Sequence, residues 1–578
     1  MAAGTQIRRW AAVALLLLVG APVHGGRPAE ADPAGCMELC QLVAAGRLAD
    51  LRWPDFPDYL DRVQAFYKPV DYALAWVTAG RPTPAARAMI AVLAEADSKG
   101  LNPEDYDASR WAARIAALEH PGAREEAGAA FDAARFDLAL TVSVMRYVSD
   151  LHFGKLNPGM FHNGFDLDRE KGDLPSFVRE RLVGTANPRS ALERIEPPYE
   201  GYRHTLAILQ KYLALAKEPD GEPLPATAKP VDPGAAYPAI EPLARVLRRF
   251  GDLPEGAPMP ASGDRYTGAL VGAVKHFQMR HGLDADGRIG KATLAELNTP
   301  LGQRVRQLQL TLERWRWAPH TFPYPPIVVN IPEFRLRALD RDFHPEVEMK
   351  VVVGKAYHHQ TPVFSAEMTS VGFWPYWDVP VSIERAEVVP KIVKDRSYLV
   401  KNAFEVVDAK REVVSTGEVD DALLARLRAL ELLVRQVPGP KNALGLIKFN
   451  FPNQYDIYMH DTPATELFTM SRRDFSHGCI RLENPEELAA WVLRDTQGWT
   501  PERIHEAVEG GKTFEVRLAH PIPVLIVYAT AVPAAHGEVH FLKDIYGLDA
   551  QLETLLAKGY PYGSAAPTSG APGPHPHE

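Results

Sequence analysis

The pattern of apolar and polar positions divides the chain into a helical first part and a strand-rich last part. Over residues 45–217 apolar side chains recur at helical spacing, most clearly in Phe131–Leu151 and again at Leu206, Leu209 and Leu213. Turn signals such as 100–103 separate these stretches. The pattern predicts a mostly helical domain, and no residue in it stands out as a candidate for chemistry.

A second, smaller helical unit is predicted for residues 239–299. Residues 218–238 before it are rich in proline and are predicted to be an extended linker or a surface crossing. An Asp-x-Asp-Gly string at 284–287 marks a tight turn within the unit. It is not a calcium loop, because its glycine comes too early and the closing glutamate is absent. The predicted core side chains are Phe277, Leu283, Ile289 and Leu294.

Strand patterns begin at Pro326 and continue to about residue 530. Apolar runs or alternation appear at 327–331, 334–339, 351–353, 363–373, 455–460, 513–518 and 524–529. Residues 381–437 interrupt them with charged, helical sequence, for example Asp421–Arg435. A long insertion between strands is usually functional. It is predicted to be either a mobile lid or a rigid packing subdomain.

Composition and the chain ends suggest an exported multidomain protein. The chain has 578 residues, enough for several domains, and its net charge of -9 gives no support to nucleic-acid binding. Residues 1–25 read as a signal peptide: Arg8 and Arg9 precede a ten-residue apolar core and then small residues. That core is shorter than the roughly 20 residues that span a bilayer. An uncleaved membrane anchor is the alternative. Residues 563–578 are predicted to be a disordered tail.

The candidate chemistry lies around Cys479. Of the three cysteines, only Cys479 lies beyond residue 40; Cys36 and Cys40 are expected to form a local disulfide or to be idle thiols. His460 stands nineteen residues before Cys479, at the end of a predicted strand that would carry it to a sheet edge. An adjacent imidazole can take the thiol proton and hold the thiolate as an ion pair. The backbone N–H groups of Gly478 and Cys479 are candidates for stabilising an oxyanion. A buried thiol beside two histidines with local hydrogen bonds is the alternative reading.

The string around these residues resembles the signature of the L,D-transpeptidases, the cysteine acyltransferases that cross-link peptidoglycan. It consists of His460-Asp461-Thr462, a gap, and then Ser476-His477-Gly478-Cys479-Ile480-Arg481-Leu482. Residues 239–299 resemble a peptidoglycan-binding module, and 45–217 resemble the helical scaffold of large Gram-negative members. The related enzymes usually carry Asn where this chain has Trp374 and Asp378.

This resemblance implies a multidomain α+β protein. Its parts would be a mostly helical scaffold, a small helical peptidoglycan-binding-like domain, and a β-sandwich-like catalytic domain at 326–530 with a helical cap insertion at 381–437. It would act in the periplasm during cell-wall biogenesis. Its partners would be peptidoglycan stem peptides, as donor and acceptor, and wall-synthesis proteins.

The resemblance also implies the roles of the site residues. Cys479 is the nucleophile and His460 the proton acceptor and donor, oriented by the backbone carbonyl of Asp461. Residues expected to assist are His477 and Gly478 beside the nucleophile, and Arg481, Tyr458 and Ser476 in substrate binding. The implied reaction is thioacyl transfer from a tetrapeptide stem, with release of D-alanine, to give a 3→3 cross-link. It requires no metal or cofactor, and a carbapenem is expected to acylate Cys479.

Three alternatives stay open at this point. A Cys-His wall peptidase or L,D-carboxypeptidase would pass the acyl group to water. A noncatalytic scaffold would bind peptidoglycan through 239–299. A zinc site from His460, His477 and Cys479 has suitable ligand types but no visible fourth ligand. The acceptor also stays open between another stem, a free D-amino acid and a lipoprotein.

Overall fold

The computed structural model describes residues 33–120, 126–161, 173–258, 265–356 and 359–562. The predicted signal peptide (1–25) and tail (563–578) lie outside these residues. The chain forms two compact units, the first from the described residues of 1–157, 166–196 and 555–565 and the second from the rest. No helix in the described ranges has the length and apolar character that crossing a membrane requires.

The first unit is helical, as predicted. Its elements are α1 (Pro33–Ala45), α2 (Leu60–Tyr67), β1 (Val77–Thr78), β2 (Arg81–Pro82), α3 (Pro84–Ala94), α4 (Trp111–Glu119), α5 (Glu126–Phe153), α6 (Leu174–Phe177) and α7 (Arg189–Glu193). The long helix α5 runs through the core, where Asp137 is fully buried. Its carboxylate accepts hydrogen bonds from Tyr67 Oη at 2.7 Å and Trp76 N at 2.6 Å. These bonds offset the cost of burying the carboxylate.

The second unit begins with five helices in its described residues, and three of them form a small module. They are α8 (Glu200–Leu215), α9 (Ile240–Phe250), α10 (Ala269–Arg280), α11 (Lys291–Leu297) and α12 (Leu301–Trp315). The module consists of α9, α10 and α11. The stretch 218–238, expected to be a linker, packs on this module. Leu224, Val231 and Tyr237 are buried in its core, and Val231 pairs with Ile289. Apolar side chains spaced among the prolines therefore outweigh the linker-like composition.

The remaining strands and helices of this unit follow in chain order. The strands are β3 (Ile327–Asn330), β4 (Arg335–Leu339), β5 (Pro345–Gly354), β6 (Phe364–Phe373), β7 (Trp377–Asp378), β8 (Phe404–Val407), β9 (Val413–Ser415), β10 (Leu433–Gln436), β11 (Ile447–Asn450), β12 (Met459–His460), β13 (Asp474–Ser476), β14 (Ile480–Leu482), β15 (Phe514–Val527), β16 (Ala531–Pro533) and β17 (Val539–Phe541). The helices are α13 (Val381–Ile383), α14 (Val389–Lys394), α15 (Tyr398–Lys401), α16 (Asp421–Arg428), α17 (Pro485–Leu493), α18 (Pro501–Glu509) and α19 (Leu548–Leu556).

Nine of the described strands form one sheet, in the order β13-β5-β14-β12-β11-β6-β15-β3-β4. Strand β4 also pairs with β5, so the sheet closes on itself. The α+β prediction is confirmed, but the arrangement is one closed sheet where a sandwich was expected. The two predicted strands at 513–518 and 524–529 are a single strand, β15, whose register with β6 shifts between Arg517 and Ile522. Such a shift bends a long strand and helps a sheet to curl.

The insertion 381–437 is only partly helical. Strands β8, β9 and β10 join β7 in a separate four-stranded sheet, and the predicted helix Asp421–Arg435 ends at Arg428. Leu430 then takes a positive φ of 59°, and 433–436 pair with 404–407. Pairing in a sheet outweighs the helical pattern of the leucines there. The insertion is called the cap below.

Candidate active site

Sheet register places the predicted catalytic residues on one face. Strands β12 and β14 run parallel, with Met459 beside Ile480 and His460 beside Arg481. Met459 and Ile480 are fully buried in the core. Because side chains alternate along a strand, His460 lies on the opposite face, as does Cys479 just before Ile480. The prediction that His460 reaches a sheet edge is wrong, since β12 lies between β11 and β14.

His460 is oriented by a backbone carbonyl. Its Nδ1 lies 2.5 Å from Asp461 O, and its side chain is buried, with 5% of the residue surface exposed. Since a carbonyl can only accept, Nδ1 carries the proton in this contact and Nε2 is the basic nitrogen. Burial, together with the nearby positive charge of Arg481, lowers the pKa of His460 to about 3. The imidazole is therefore neutral in the resting site.

The Asp461 side chain fixes the position of that carbonyl. Its carboxylate accepts hydrogen bonds from Leu446 N at 2.8 Å and Thr462 N at 2.7 Å. Burial raises the pKa of Asp461, and these two bonds act in the opposite direction. Gly445 lies directly against the carboxylate: a Cβ there would stand 2.2 Å from Asp461 Oδ2. This close contact packs the residues just before β11 against Asp461, whose carbonyl orients His460.

The Cys479 thiol is also neutral at rest. Burial raises the pKa of Cys479, and hydrogen bonds from Tyr458 with the charges of Lys448 and Arg481 offset only part of this effect. The expected thiolate–imidazolium pair is thus not favoured in the resting site. Burial disfavours the charged form of each group.

The Cys479 loop is held by a serine and a threonine. Ser476 Oγ donates to Cys479 O at 2.6 Å and accepts from Gly478 N at 3.1 Å. Thr361 Oγ1 donates to Gly478 O at 2.6 Å. Gly478 has φ +120°, a conformation that favours glycine. Ser476 is buried and its hydroxyl is engaged in the loop, so it is not placed for the substrate-binding role predicted for it.

These bonds leave one backbone donor of the predicted oxyanion pair. The Gly478 N–H is used by Ser476 Oγ. The Cys479 N–H has no acceptor among the described residues. A backbone N–H held at this position is suited to stabilise a developing oxyanion. The two-donor expectation is therefore corrected to Cys479 N–H alone in this state of the loop.

His477 contacts the cap. Its Nε2 lies 2.7 Å from Glu387 Oε1, and Lys391 Nζ lies 3.7 Å from the other carboxylate oxygen. Burial raises the pKa of Glu387, but His477 and the nearby lysines outweigh this and hold it below its usual value. His477, two positions before Cys479, is thus joined to the cap by a hydrogen bond to a carboxylate.

Arg481 and Tyr458 flank the thiol. Arg481 has no carboxylate within ion-pair distance in the described part of the chain, and its buried Nε has no hydrogen-bond partner there. Burial lowers the pKa of Arg481. Burial and the neighbouring Cys479 raise the pKa of Tyr458 well above its usual range. Arg481 is therefore not held in the structural salt bridge that would have been the alternative to binding substrate.

Three residues at the site were missed by sequence reasoning. Lys448 lies beside His460 on β11, Thr361 holds the loop, and Glu387 reaches His477 from the cap. The alternation Lys448-Phe449-Asn450 was a sufficient signal for Lys448, since a buried Phe449 turns its neighbours to the other face. The other two depend on contacts distant in sequence.

A metal centre is not indicated at these residues. No group of three or more His, Cys, Asp or Glu side chains suited to hold a metal ion is found within the described ranges. His477 is directed to Glu387, so the zinc arrangement from His460, His477 and Cys479 gains no support.

Comparison with known proteins assigns three regions of the chain. Residues 325–508 match the family model for an L,D-transpeptidase catalytic domain, 237–297 match a "Putative peptidoglycan binding domain", and 61–209 match a scaffold domain. A "Putative L,D-transpeptidase" of Haemophilus influenzae is 33% identical over 226 residues, which cover 39% of this chain and 45% of that protein. The matched segment thus spans less than half of that relative.

Solved structures were matched as well. One of them is a crystal structure of an L,D-transpeptidase (Yku) from Stackebrandtia nassauensis, 15% identical, with a TM-score of 0.20. The match covers 52% of this chain and 97% of that one.

Proposed function

We propose that this chain, whose residues 325–508 match an L,D-transpeptidase catalytic domain, forms 3→3 cross-links between peptidoglycan stem peptides. Cys479 is the nucleophile and His460 the proton carrier. The observation that carries the proposal is the shared face of β12 and β14, with His460 Nδ1 fixed on Asp461 O. With the proton on Nδ1, Nε2 is the nitrogen that takes the proton of Cys479, which directly precedes β14.

The first step transfers the donor acyl group to the enzyme. Cys479 attacks the carbonyl that joins residue three, diaminopimelate, to the terminal D-alanine of a tetrapeptide stem. The thiol proton passes to His460 Nε2 as the C–S bond forms, and Cys479 N–H stabilises the oxyanion. The C–N bond then breaks, the proton goes to the departing amine, and D-alanine leaves. A thioester remains on Cys479.

The second step transfers the acyl group to an amine. The side-chain amine of a neighbouring stem attacks the thioester, and His460 removes its proton. The C–S bond breaks and the proton returns to the sulfur. Water in place of the amine would give a carboxypeptidase. The cap (381–437), joined to His477 through Glu387, is the candidate for excluding water until the amine arrives.

The other domains favour a wall location for this chemistry. A peptidoglycan-binding domain match beside a transpeptidase domain supports peptidoglycan as the substrate and an extracytoplasmic location. We place the protein in the periplasm, with residues 1–25 as its export signal. The 237–297 module would hold the chain near its substrate.

The test compares wild type with Cys479→Ala on a disaccharide-tetrapeptide, with products read by mass spectrometry. A dimer lighter than two donors by one D-alanine, formed only by wild type, is expected. Monomeric tripeptide alone would replace the transpeptidase proposal with a carboxypeptidase. Equal products from both proteins would remove Cys479 from the mechanism. A circular dichroism spectrum of Cys479→Ala that matches wild type guards against misfolding.

A further inference from the structure

A row of side chains crosses the sheet from the catalytic residues toward β15. Direct pairing places Arg481 beside His460, His460 beside Lys448, Lys448 beside Gly372, and Gly372 beside Glu515. Directly paired residues of neighbouring strands point to the same face. The row therefore continues the face of Cys479 and His460 across the sheet. It presents in turn the cation Lys448, the missing side chain of Gly372 and the anion Glu515.

The gap at Gly372 is not required by the packing of the protein. Gly372 lies inside strand β6 without a positive φ, and a Cβ there would meet only Lys448 O, at an ordinary contact distance of 3.8 Å. Glycine inside a strand costs about 0.5–1 kcal/mol relative to alanine. A strand glycine often marks a place where a ligand approaches closely. No described side chain therefore comes within 4 Å of the Cβ position above Gly372.

Lys448 lies on β11 beside this space, and its ammonium leans toward the Tyr458 ring on the β12 side. Its Nζ lies 4.1 Å from the centre of the Tyr458 ring, and no carboxylate of the described residues is within ion-pair distance. Burial lowers the pKa of Lys448, while Cys479, Glu515 and Asp378 act in the opposite direction. Asp378 is itself 3.5 Å from Arg411. A half-buried ammonium without a carboxylate partner is suited to receive one from a ligand.

Glu515 presents an anion to the other side. Asn450 Nδ2 donates to Glu515 Oε1 at 3.4 Å, and Ser370 Oγ donates to the same oxygen. Ser370 and Asn450 pair with each other two residues along β6 and β11 from Gly372 and Lys448, so these contacts hold the carboxylate across β6 on the same face. The carboxylate is near enough to Lys448 to raise the pKa of that lysine. Glu515 forms no ion pair with a described lysine or arginine. The carboxylate is held in place but its charge is not neutralised.

We propose that Lys448, Gly372 and Glu515 form a subsite for a zwitterionic amino-acid terminus. The subsite rests on the proposed function and names its substrate more closely. Diaminopimelate at the third position of the donor carries a free ammonium and a free carboxylate on one carbon at the end of its side chain. The carboxylate binds Lys448, the ammonium binds Glu515, and the carbon bearing both lies over Gly372.

The spacing agrees with this assignment. Strand β11 is two strands from β14, which is about 10 Å at roughly 4.8 Å per strand. The aliphatic side chain of diaminopimelate and the Lys448 side chain extend toward each other across that distance. A donor with lysine at position three keeps the ammonium but lacks the carboxylate, so it would bind Glu515 and not Lys448.

The experiment measures D-alanine release from two disaccharide-tetrapeptide donors, one with diaminopimelate and one with lysine at position three. Lys448→Met is expected to lower kcat/KM for the diaminopimelate donor by about ten- to hundredfold, the range for losing one charged hydrogen bond. The ratio of kcat/KM for the diaminopimelate donor to that for the lysine donor is expected to fall by the same factor. Glu515→Gln is expected to lower kcat/KM for both donors by the same factor. Lys543→Met, an exposed lysine elsewhere in the second unit, is the matched control and is expected to leave the ratio unchanged.

Two results would overturn the subsite. An equal fall on both donors in Lys448→Met would mean that Lys448 acts only through the charge of Cys479. Unchanged kinetics in Glu515→Gln would remove the ammonium partner. Donor affinity for the Cys479→Ala protein, measured by calorimetry with and without Lys448→Met, tests the subsite separately from turnover. If wild type releases no D-alanine but this affinity difference persists, the proposed function fails and the subsite stands.

Discussion

The substitution Gly445→Ala tests whether the anchor of His460 depends on one close contact. A methyl group at Gly445 would stand 2.2 Å from Asp461 Oδ2, 2.3 Å from Cγ and 2.5 Å from Cβ. Distances below 3.0 Å force a displacement, and since Asp461 Cβ is bonded to the backbone, a side-chain rotation alone does not relieve it. The Asp461 backbone, whose carbonyl orients His460, must move.

The expected magnitude has two parts. Gly445 has φ +61°, and a left-handed alanine costs about 1–2 kcal/mol. Displacing the Asp461 carboxylate from Leu446 N or Thr462 N removes a charged hydrogen bond, worth about 1.5–3 kcal/mol. The sum is a loss of about 2.5–5 kcal/mol in the free energy of unfolding. A shift of the base by about 1 Å is expected to lower kcat about a hundredfold.

Gly498→Ala is the matched control. Gly498 has φ +82° and no atom within 4 Å of a Cβ position, so this variant carries the conformational cost without the clash. We expect it to lose about 1–2 kcal/mol and to keep its kcat. Stability is read from urea unfolding and activity from D-alanine release. If Gly445→Ala is no less stable than Gly498→Ala and turns over at the wild-type rate, His460 does not depend on the contact between Gly445 and Asp461.

The remaining predictions concern charge and the cap. Burial raises the pKa of Cys479. In a Cys36→Ser/Cys40→Ser background, we therefore expect its rate of alkylation by iodoacetamide to rise with pH through a midpoint above the roughly 8.5 of a free thiol. A midpoint near 6 would indicate a resting ion pair. Glu387→Gln removes the charge that holds His477. The ratio of cross-linked dimer to tripeptide, measured by mass spectrometry, is therefore expected to fall. An unchanged ratio would show that this contact of the cap does not exclude water. Glu384 is buried, and burial raises its pKa to about 7. Because the unfolded carboxyl ionises near 4.3, cap stability is expected to fall as pH rises from about 4 to 7. The protection factors of the amides in 433–436, which are exchange rates corrected for the intrinsic pH dependence, are expected to be lower at pH 8 than at pH 5, and Glu384→Gln should abolish that difference.

Sequence patterns were enough to predict where most catalytic strands lie, but not how His460 is delivered. The run 455–460 alternates like a strand, yet only Met459 and His460 pair in the sheet. Asn453 Oδ1 accepts from Tyr455 N and Ile457 N, and Asp456 takes φ +53°. A local side-chain bond thus competes with the strand ladder. Alternation cannot detect that competition.

The candidate site divides along the same line. The adjacency of Asp461 to His460 and of Gly478 to Cys479 could be read from the sequence, because each pair is local. Glu387 lies ninety positions from His477 and is brought to it only by the cap. The Gly372 gap has meaning only once β6 is known to lie between β11 and β15. Such relations follow from strand order, which a single sequence does not encode in any local pattern.

Intact-protein mass spectrometry tests the central claim most directly. The protein is mixed with a disaccharide-tetrapeptide donor and quenched in acid within the first turnover. We predict an adduct whose mass equals that of the donor less D-alanine, located on Cys479 by peptide mapping. The adduct should be absent in Cys479→Ala and should be lost when an amine acceptor is added. An adduct on another residue, or dimer formation without any adduct on Cys479, would contradict it.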